Sequence, residues 1–291
     1  MRYYLLFFSL FLIFSCKEDP SREAREPISE SETVETTSDE SSELDAISTK
    51  DFREFKVLDS KVLTKAEIWA EINPQMEDFT ESDYNAMKVW VMEEDIPALQ
   101  GWINNGKYTI EELTKFYLYR IRKFDRENDL SLNSVISINP NVIKEARAMD
   151  EAEDDGTDRT HLIYGMPILL KDNINASGMV TTAGAVALKD NVTDDAFIVK
   201  QLRSKGALIL GKANLSEWAY FFCGDCPSGY SAVGGQTLNP YGRRIIDTGG
   251  SSSGSGVAAS ANFAAATIGT ETSGSILSPA SQNSVVGLKP T

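Results

Sequence analysis

The sequence predicts an α/β fold, a mixed and largely parallel sheet covered by helices on both faces. Two observations carry this. Short, uniformly apolar runs recur at Pro167-Ile-Leu-Leu170, Ala207-Leu-Ile-Leu210 and Ala264–Ile268, each passing directly into a polar or glycine-containing loop. Segments with apolar residues at helical spacing lie between and before them. A strand with no apolar-polar alternation is buried on both sides, which requires helices above and below the sheet. Chemistry in such folds sits on the loops at strand ends.

Taken in order, the helical part opens with apolar residues at Val89, Met92, Ile96, Leu99 and Ile103, which read as one helix. A second helix starts at Thr109, where Thr109-x-x-Glu112 is a capping-box pattern ahead of Leu113, Phe116, Tyr117 and Ile121. Ser134–Ile138 reads as a strand and Val142–Ala152 as a helix. The apolar strands follow: Pro167–Leu170 runs into Lys171-Asp172-Asn173, Ala207–Leu210 into Gly211-Lys212-Ala213-Asn214, and Ala264–Ile268 into Gly269-Thr270-Glu271.

Composition narrows the function. The chain has 291 residues and a formal charge of −15, from 43 acids against 28 bases. That balance disfavours a nucleic-acid partner, because phosphate binding needs clustered Lys and Arg. There is one histidine, His161. A His-rich metal site cannot be built, and a hydrolase of this composition needs a general base other than imidazole.

The N-terminus has the layout of an export signal. Arg2 precedes an almost continuously apolar run, Tyr3–Phe14, too short to span a bilayer comfortably. The run ends in Ile13-Phe14-Ser15-Cys16, which resembles the bacterial lipobox, with residues 1–15 as signal peptide and Cys16 as the lipidated residue. Lys17–Lys50 holds eleven acids, four bases and almost no large apolar side chain. Such a stretch cannot bury enough surface to offset its ordering entropy. Residues 16–50 therefore read as an acidic Ser/Thr/Glu-rich tether, and residues 51–291 as the folded domain. The expected location is outside the cytoplasm, on a membrane reached only through Cys16. In that compartment Cys223-Gly-Asp-Cys226 reads as a local disulfide, since two cysteines without histidines are poor zinc ligands.

The most informative stretch is Thr248–Thr291. It contains Gly249-Gly-Ser-Ser-Ser-Gly-Ser-Gly256, an alanine-rich segment, Gly269-Thr-Glu-Thr-Ser-Gly-Ser-Ile276, and Gly287-Leu-Lys-Pro-Thr291. A flexible linker would not be followed by the small-residue helix signal of Val257–Phe263. A phosphate-cradling loop needs Gly-Lys-Ser/Thr, and no lysine occurs between Lys212 and Lys289. Gly250-x-Ser252-x-Gly254 satisfies the nucleophile-elbow pattern, but that fold places its histidine after the serine, and His161 precedes it. The elbow requires a partner beyond Thr291.

The whole stretch resembles the amidase signature family, whose pattern is Gly-Gly-Ser-Ser-Gly-Gly, a helix, Gly-Thr-Asp-x-Gly-Gly-Ser-Ile and Gly-x-Lys-Pro-Thr. The resemblance continues upstream through Asn239-Pro240, Gly211-Lys212-Ala213-Asn214, Pro167–Asp172 and Leu132-Asn-Ser-Val135. It implies the amidase-signature layered fold, here lacking its C-terminal part, because family members continue well past Thr291. A parallel sheet lacking strands exposes edges and apolar faces, so poor solubility is expected of the chain alone. By position, the resemblance implies Lys171 as base, Ser251 as bridging serine in a cis peptide, and Ser275 as nucleophile. The backbone N–H groups of Thr272, Ser273, Gly274 and Ser275 would form the oxyanion hole. Glu271, Ser273 and Leu277 depart from the residues the family commonly carries at these places. The implied activity is hydrolysis of a carboxamide, small or peptidic, through an acyl-enzyme, with no cofactor or metal; ester hydrolysis uses the same chemistry. A non-catalytic lipoprotein is the alternative from another class.

Overall fold

The computed structural model describes residues 62–126, 131–152, 159–222, 226–243 and 245–290. The signal and tether read for residues 1–50, Cys16 and Cys223 lie outside the described residues. No helix among the described residues is long and apolar enough to cross a membrane.

Four helices come first: α1 (Lys65–Trp69), α2 (Glu81–Val91), α3 (Ile96–Asn104) and α4 (Ile110–Phe124). The single helix expected across Val89–Ile103 is instead two. The chain leaves helical geometry at Met92, and Glu93 takes a φ of 61°. Asp95 then caps the next helix by accepting from Ala98 N–H, with Pro97 in its first turn. The cap signal at Asp95-x-Pro97 outweighs the apolar spacing. Val89 is 72% exposed, so it was never part of a buried stripe. The capping box at Thr109 forms as expected: Thr109 Oγ1 accepts from Glu112 N at 3.0 Å, and Thr109 N donates to the Glu112 carboxylate at 2.8 Å.

The sheet contains β1 (Val135–Ile138), β2 (Pro167–Lys171), β3 (Leu208–Ala213) and β6 (Ala266–Ile268), in the order β1-β3-β2-β6. β2 is parallel to both β3 and β6, and β1 is antiparallel to β3. A two-stranded antiparallel pair, β4 (Tyr230–Ser231) and β5 (Gly235–Gln236), stands apart. Between the strands run α5 (Val142–Glu151), α6 (Phe197–Ser204), α7 (Ser253–Ser260) and finally α8 (Leu277–Gln282).

Both faces of the sheet are covered. Leu169 and Leu210 belong to the larger core, with Leu113, Phe116 and Leu118 of α4, Ala146 of α5 and Val257 of α7. Ile168 and Leu170 belong to a smaller core with Ile209 and Val199 of α6. Successive side chains of β2 therefore alternate between the layers. Lys171 has the parity of Leu169 and enters the larger layer, where α7 begins. Lys212 has the parity of Leu210 along β3, yet it bonds to Ile174 O and Thr181 Oγ1 beside the smaller core. The pairing explains this: Ile168 opposes Ile209 but Leu169 opposes Gly211, so Leu210 is an extra residue in β3. This bulge turns Lys212 to the face opposite Lys171.

β6 lies at the end of this four-stranded sheet, and its three residues are all partly exposed. Beside it, Ile198, Thr267, Ile276, Val286 and Leu288 line a groove of about 540 Å³.

Candidate active site

The sequence places a lysine at the end of a buried strand and a glycine-serine segment at the start of a helix; the fold brings them together. α7 begins with Ser253-Gly-Ser-Gly256 because it packs directly on the strand ends. A Cβ on Gly254 would lie 2.4 Å from Asn214 O and 2.5 Å from Ser134 O, so only glycine fits. Asn214 fixes that surface by donating to Asn133 O, Gly235 O and Thr237 Oγ1, and by accepting from Ser231 Oγ.

Immediately before α7, the Gly250–Ser251 peptide bond is cis. Ser251 is fully buried, with its Oγ 2.7 Å from Lys171 Nζ and 3.0 Å from Ser275 Oγ. Lys171 Nζ also donates to Thr270 O at 3.2 Å. Desolvation pushes the pKa of this buried amine down to about 7, against the opposing field of Glu271. Near neutrality, then, a large fraction of Lys171 is neutral and able to accept a proton. Ser275, by contrast, is partly open to solvent, and Thr272 and Ser273 are exposed.

The turn that carries Ser275 is braced from within. The Glu271 carboxylate accepts from Gly274 N at 2.8 Å, Ile276 N at 2.7 Å and Leu277 N at 3.0 Å, and these bonds lower its pKa. One consequence bears on the expected oxyanion hole. Gly274 N–H is already committed to Glu271, which removes it from the four expected donors. Among the described residues, the N–H groups of Thr272, Ser273 and Ser275 have no intramolecular acceptor.

Two supports were not read from the sequence. Thr270 O, beyond its bond to Lys171, accepts from Ser252 Oγ at 3.1 Å, and Thr270 N donates back to Ser252 Oγ at 3.2 Å. Thr270 Oγ1 accepts from Asn173 Nδ2 at 2.9 Å. Their adjacency to Lys171 and Ser251 was the available signal. Ser252 is thus buried and spent on a backbone clamp, which is no geometry for an exposed elbow nucleophile. His161 bonds to Gln100, Ile163 and Tyr164.

Behind Lys171, Asp172 and Lys212 form a buried ion pair at 3.6 Å. Burial raises the Asp172 pKa and lowers that of Lys212, each opposed by the other's charge. Asp172 also accepts from Thr182 through its N–H at 3.1 Å and its hydroxyl. Cys226 is disulfide-bonded; the partner expected for it, Cys223, lies outside the described residues.

Comparison with known proteins identifies the family. The profile of the amidase family matches residues 112–291. A probable amidase of Arabidopsis thaliana is 44% identical over 204 residues, which is 69% of this chain and 39% of that protein. An amidase family protein from Bacillus anthracis superposes with a TM-score of 0.71 at 41% identity, over 78% of this chain and 45% of its own. The native peptide amidase of Stenotrophomonas maltophilia superposes at 0.66 with 50% identity, over 69% and 40% respectively. The chain thus spans between 39% and 45% of the length of these relatives. A profile covering more than half of the sequence, on a sheet that matches solved amidases, leads to one conclusion: the chain belongs to the amidase family.

Proposed function

We propose that this chain is an amide hydrolase that cleaves the C–N bond of a linear carboxamide, small or peptidic, through an acyl-enzyme on Ser275. The supporting observation is the unbroken run of contacts from Ser275 Oγ to Ser251 Oγ to Lys171 Nζ, at 3.0 and 2.7 Å, ending on an amine whose pKa is pushed down to about 7. Neutral Lys171 takes the Ser251 proton as Ser251 takes that of Ser275, and Ser275 Oγ attacks the carbonyl carbon. The N–H groups of Thr272, Ser273 and Ser275 face the developing oxyanion, where one such donor is typically worth about 3 kcal/mol. On collapse the C–N bond breaks, and the proton returns from Lys171 through Ser251 to the leaving nitrogen. Water then hydrolyses the ester to free acid and Ser275. The bond from Lys171 to Thr270 O keeps the amine turned so that its lone pair meets Ser251.

Fluorophosphonate labelling read by intact mass tests this. A single adduct that maps to Ser275, absent from Ser275→Ala and kept by Ser252→Ala, is the expected result. Labelling at Ser252, or none from folded protein, would refute it.

The same proposal places the enzyme outside the cytoplasm, with residues 16–50 as a tether and residues 51–291 as the catalytic domain. The support is the apolar run Tyr3–Phe14 meeting Cys16 at the polar boundary. Metabolic palmitate labelling of a bacterial host should mark the wild type and not Cys16→Ala; equal incorporation in the two sinks the anchor.

A further inference from the structure

The face of the sheet opposite Lys171 carries a second cavity, of about 170 Å³, which the proposed chemistry does not use. Val62, Leu63, Ile136, Val180 and Val233 make its walls, and Ser137, Asp172, Thr182 and Lys189 are its polar lining. The fold gathers these polar groups from separate places. Asp172 directly follows β2, Ser137 lies on β1, and Thr182 belongs to the loop after β2. Ser137 is the register partner of Lys212, so the two side chains share the face to which the bulge turns Lys212.

Two of these polar groups hold an atom that is shielded from solvent and has no hydrogen-bond partner among the described residues. Thr182 satisfies one oxygen of Asp172, Oδ2, through its N–H at 3.1 Å and its hydroxyl. Gly184 N in turn donates to Thr182 Oγ1 at 3.0 Å, which fixes that hydroxyl. The other oxygen, Asp172 Oδ1, accepts nothing. Lys212 Nζ stands 3.6 Å away, near enough to offset its charge and too far to donate, and donates instead to Ile174 O and Thr181 Oγ1. Ser137 Oγ is the second such atom. Asp172 is only 1% exposed, so Oδ1 is a buried acceptor facing the cavity that its residue lines. Folded proteins rarely leave such atoms unmatched, because each costs its full desolvation.

The lining limits what can match them. A water needs two to four polar partners, and the aliphatic walls offer none. An anion would face the Asp172 carboxylate, and a cation would face Lys212 and Lys189. A neutral group that donates to Asp172 and accepts from the Ser137 hydroxyl suits both atoms, and a primary carboxamide carries that donor and acceptor side by side. An apolar cavity of about 150 Å³ holds benzene, so the space fits a carboxamide of about six or seven heavy atoms with a branched aliphatic body.

We propose that this cavity binds a small neutral primary carboxamide, its N–H donating to Asp172 Oδ1, its oxygen accepting from Ser137 Oγ, and its aliphatic body lying against Val180 and Val233. Lys171, Ser251 and Ser275 do not line this site, so the inference goes beyond the amidase reading and does not rest on it.

Saturation-transfer NMR titrations of isobutyramide test it, with the Ser275→Ala chain as the parent so that turnover cannot deplete the amide. Isobutyramide should bind with a Kd of about 1–10 mM, as befits so few atoms. Ser137→Ala should weaken binding about five-fold, the usual worth of one hydrogen bond. Val180→Phe, which fills the cavity from a half-buried position, should abolish it. Isobutyrate and isobutylamine, of the same shape but charged, should bind at least about ten-fold more weakly than the amide. No transfer to isobutyramide at about 50 mM overturns the inference, as does binding that both substitutions leave unchanged, or an equal affinity for either charged analogue. If Val180→Phe lacks the circular dichroism of its parent, Ser137→Ala decides alone. Labelling of Ser275 in the wild type tests the amidase reading separately, so the two can fail independently.

Discussion

Replacing Lys171 by methionine is expected to abolish turnover and yet stabilise the fold. Lys171 has no solvent exposure, and burial moves its pKa from 10.5 to about 7. Between those two values the unfolded chain binds the proton that the folded chain has given up. Stability therefore rises with pH through this window and is lost as pH falls towards 7, where the buried amine takes its charge. At 1.36 kcal/mol per unit of pKa, the interval is worth roughly 5 kcal/mol. Methionine fills similar space with no charge to desolvate. It forfeits the contacts with Ser251 Oγ and Thr270 O, at a cost of roughly 1–3 kcal/mol. A net gain of a few kcal/mol should remain at pH 6.5. Thermal unfolding of both proteins from pH 6.5 to 10 measures it, and using the difference between them cancels other titrating groups. The advantage of Lys171→Met should shrink steadily as pH climbs. A variant no more stable than wild type at pH 6.5, or a gap that ignores pH, would refute the reasoning. In the same wild-type samples, amide hydrolysis should increase about five-fold from pH 6 to 7 and level off above 8, following the neutral fraction of the amine.

Glu271→Gln keeps the shape of the brace under Ser275 but can offer only one acceptor oxygen to the N–H groups of Gly274, Ile276 and Leu277. Fluorophosphonate labelling of Ser275 should slow by about ten-fold or more, and an unchanged rate would show that the turn holds itself. Gly254→Ala forces a methyl group against the backbone of Asn214 and Ser134; chemical denaturation should register a loss of at least ~2 kcal/mol, and a neutral result would mean that α7 can lift off the strand ends freely. Asp125 is wholly buried and accepts from Ser134 N, Ser134 Oγ and Val135 N beside Arg126. Asp125→Ala should cost about 3 kcal/mol or more by leaving the buried donors of Ser134 and Val135 without their acceptor, visible as a lower Tm.

The sheet was legible because its strands are short apolar runs that end in polar loops, a pattern that survives without tertiary knowledge. Lys171, Ser251 and Ser275 were singled out through motif order, and the fold brings their side chains into successive hydrogen-bond contact. The break between α2 and α3 was written at Asp95 and Pro97, but the apolar spacing on either side of it is continuous enough to mask a cap. Other features have no local signature. The bulge at Leu210 exists only because two strands pair, and the lone glycine beside it, Gly211, is its one local hint. The left-handed turn at Trp218–Tyr220 contains no glycine to betray it, since its conformation is imposed by bonds to Ala183 and Ser251. The commitment of Gly274 N–H to Glu271 likewise depends on where a side chain folds back.

The extra residue in β3 gives the sheet a kind of electrical insulation. Two lysines in neighbouring register positions, one opposite Ala213 and the other opposite Leu170, hang from opposite sides of one sheet. On one side an amine meets a hydroxyl and a carbonyl, with no acid in contact among the described residues, and on the other an amine meets a carboxylate. Each can be set to its own protonation state with a strand's thickness between them. Excising Leu210 would rotate Lys212 onto the wrong side, strand Asp172 without its counter-ion, and crowd a second amine against the first.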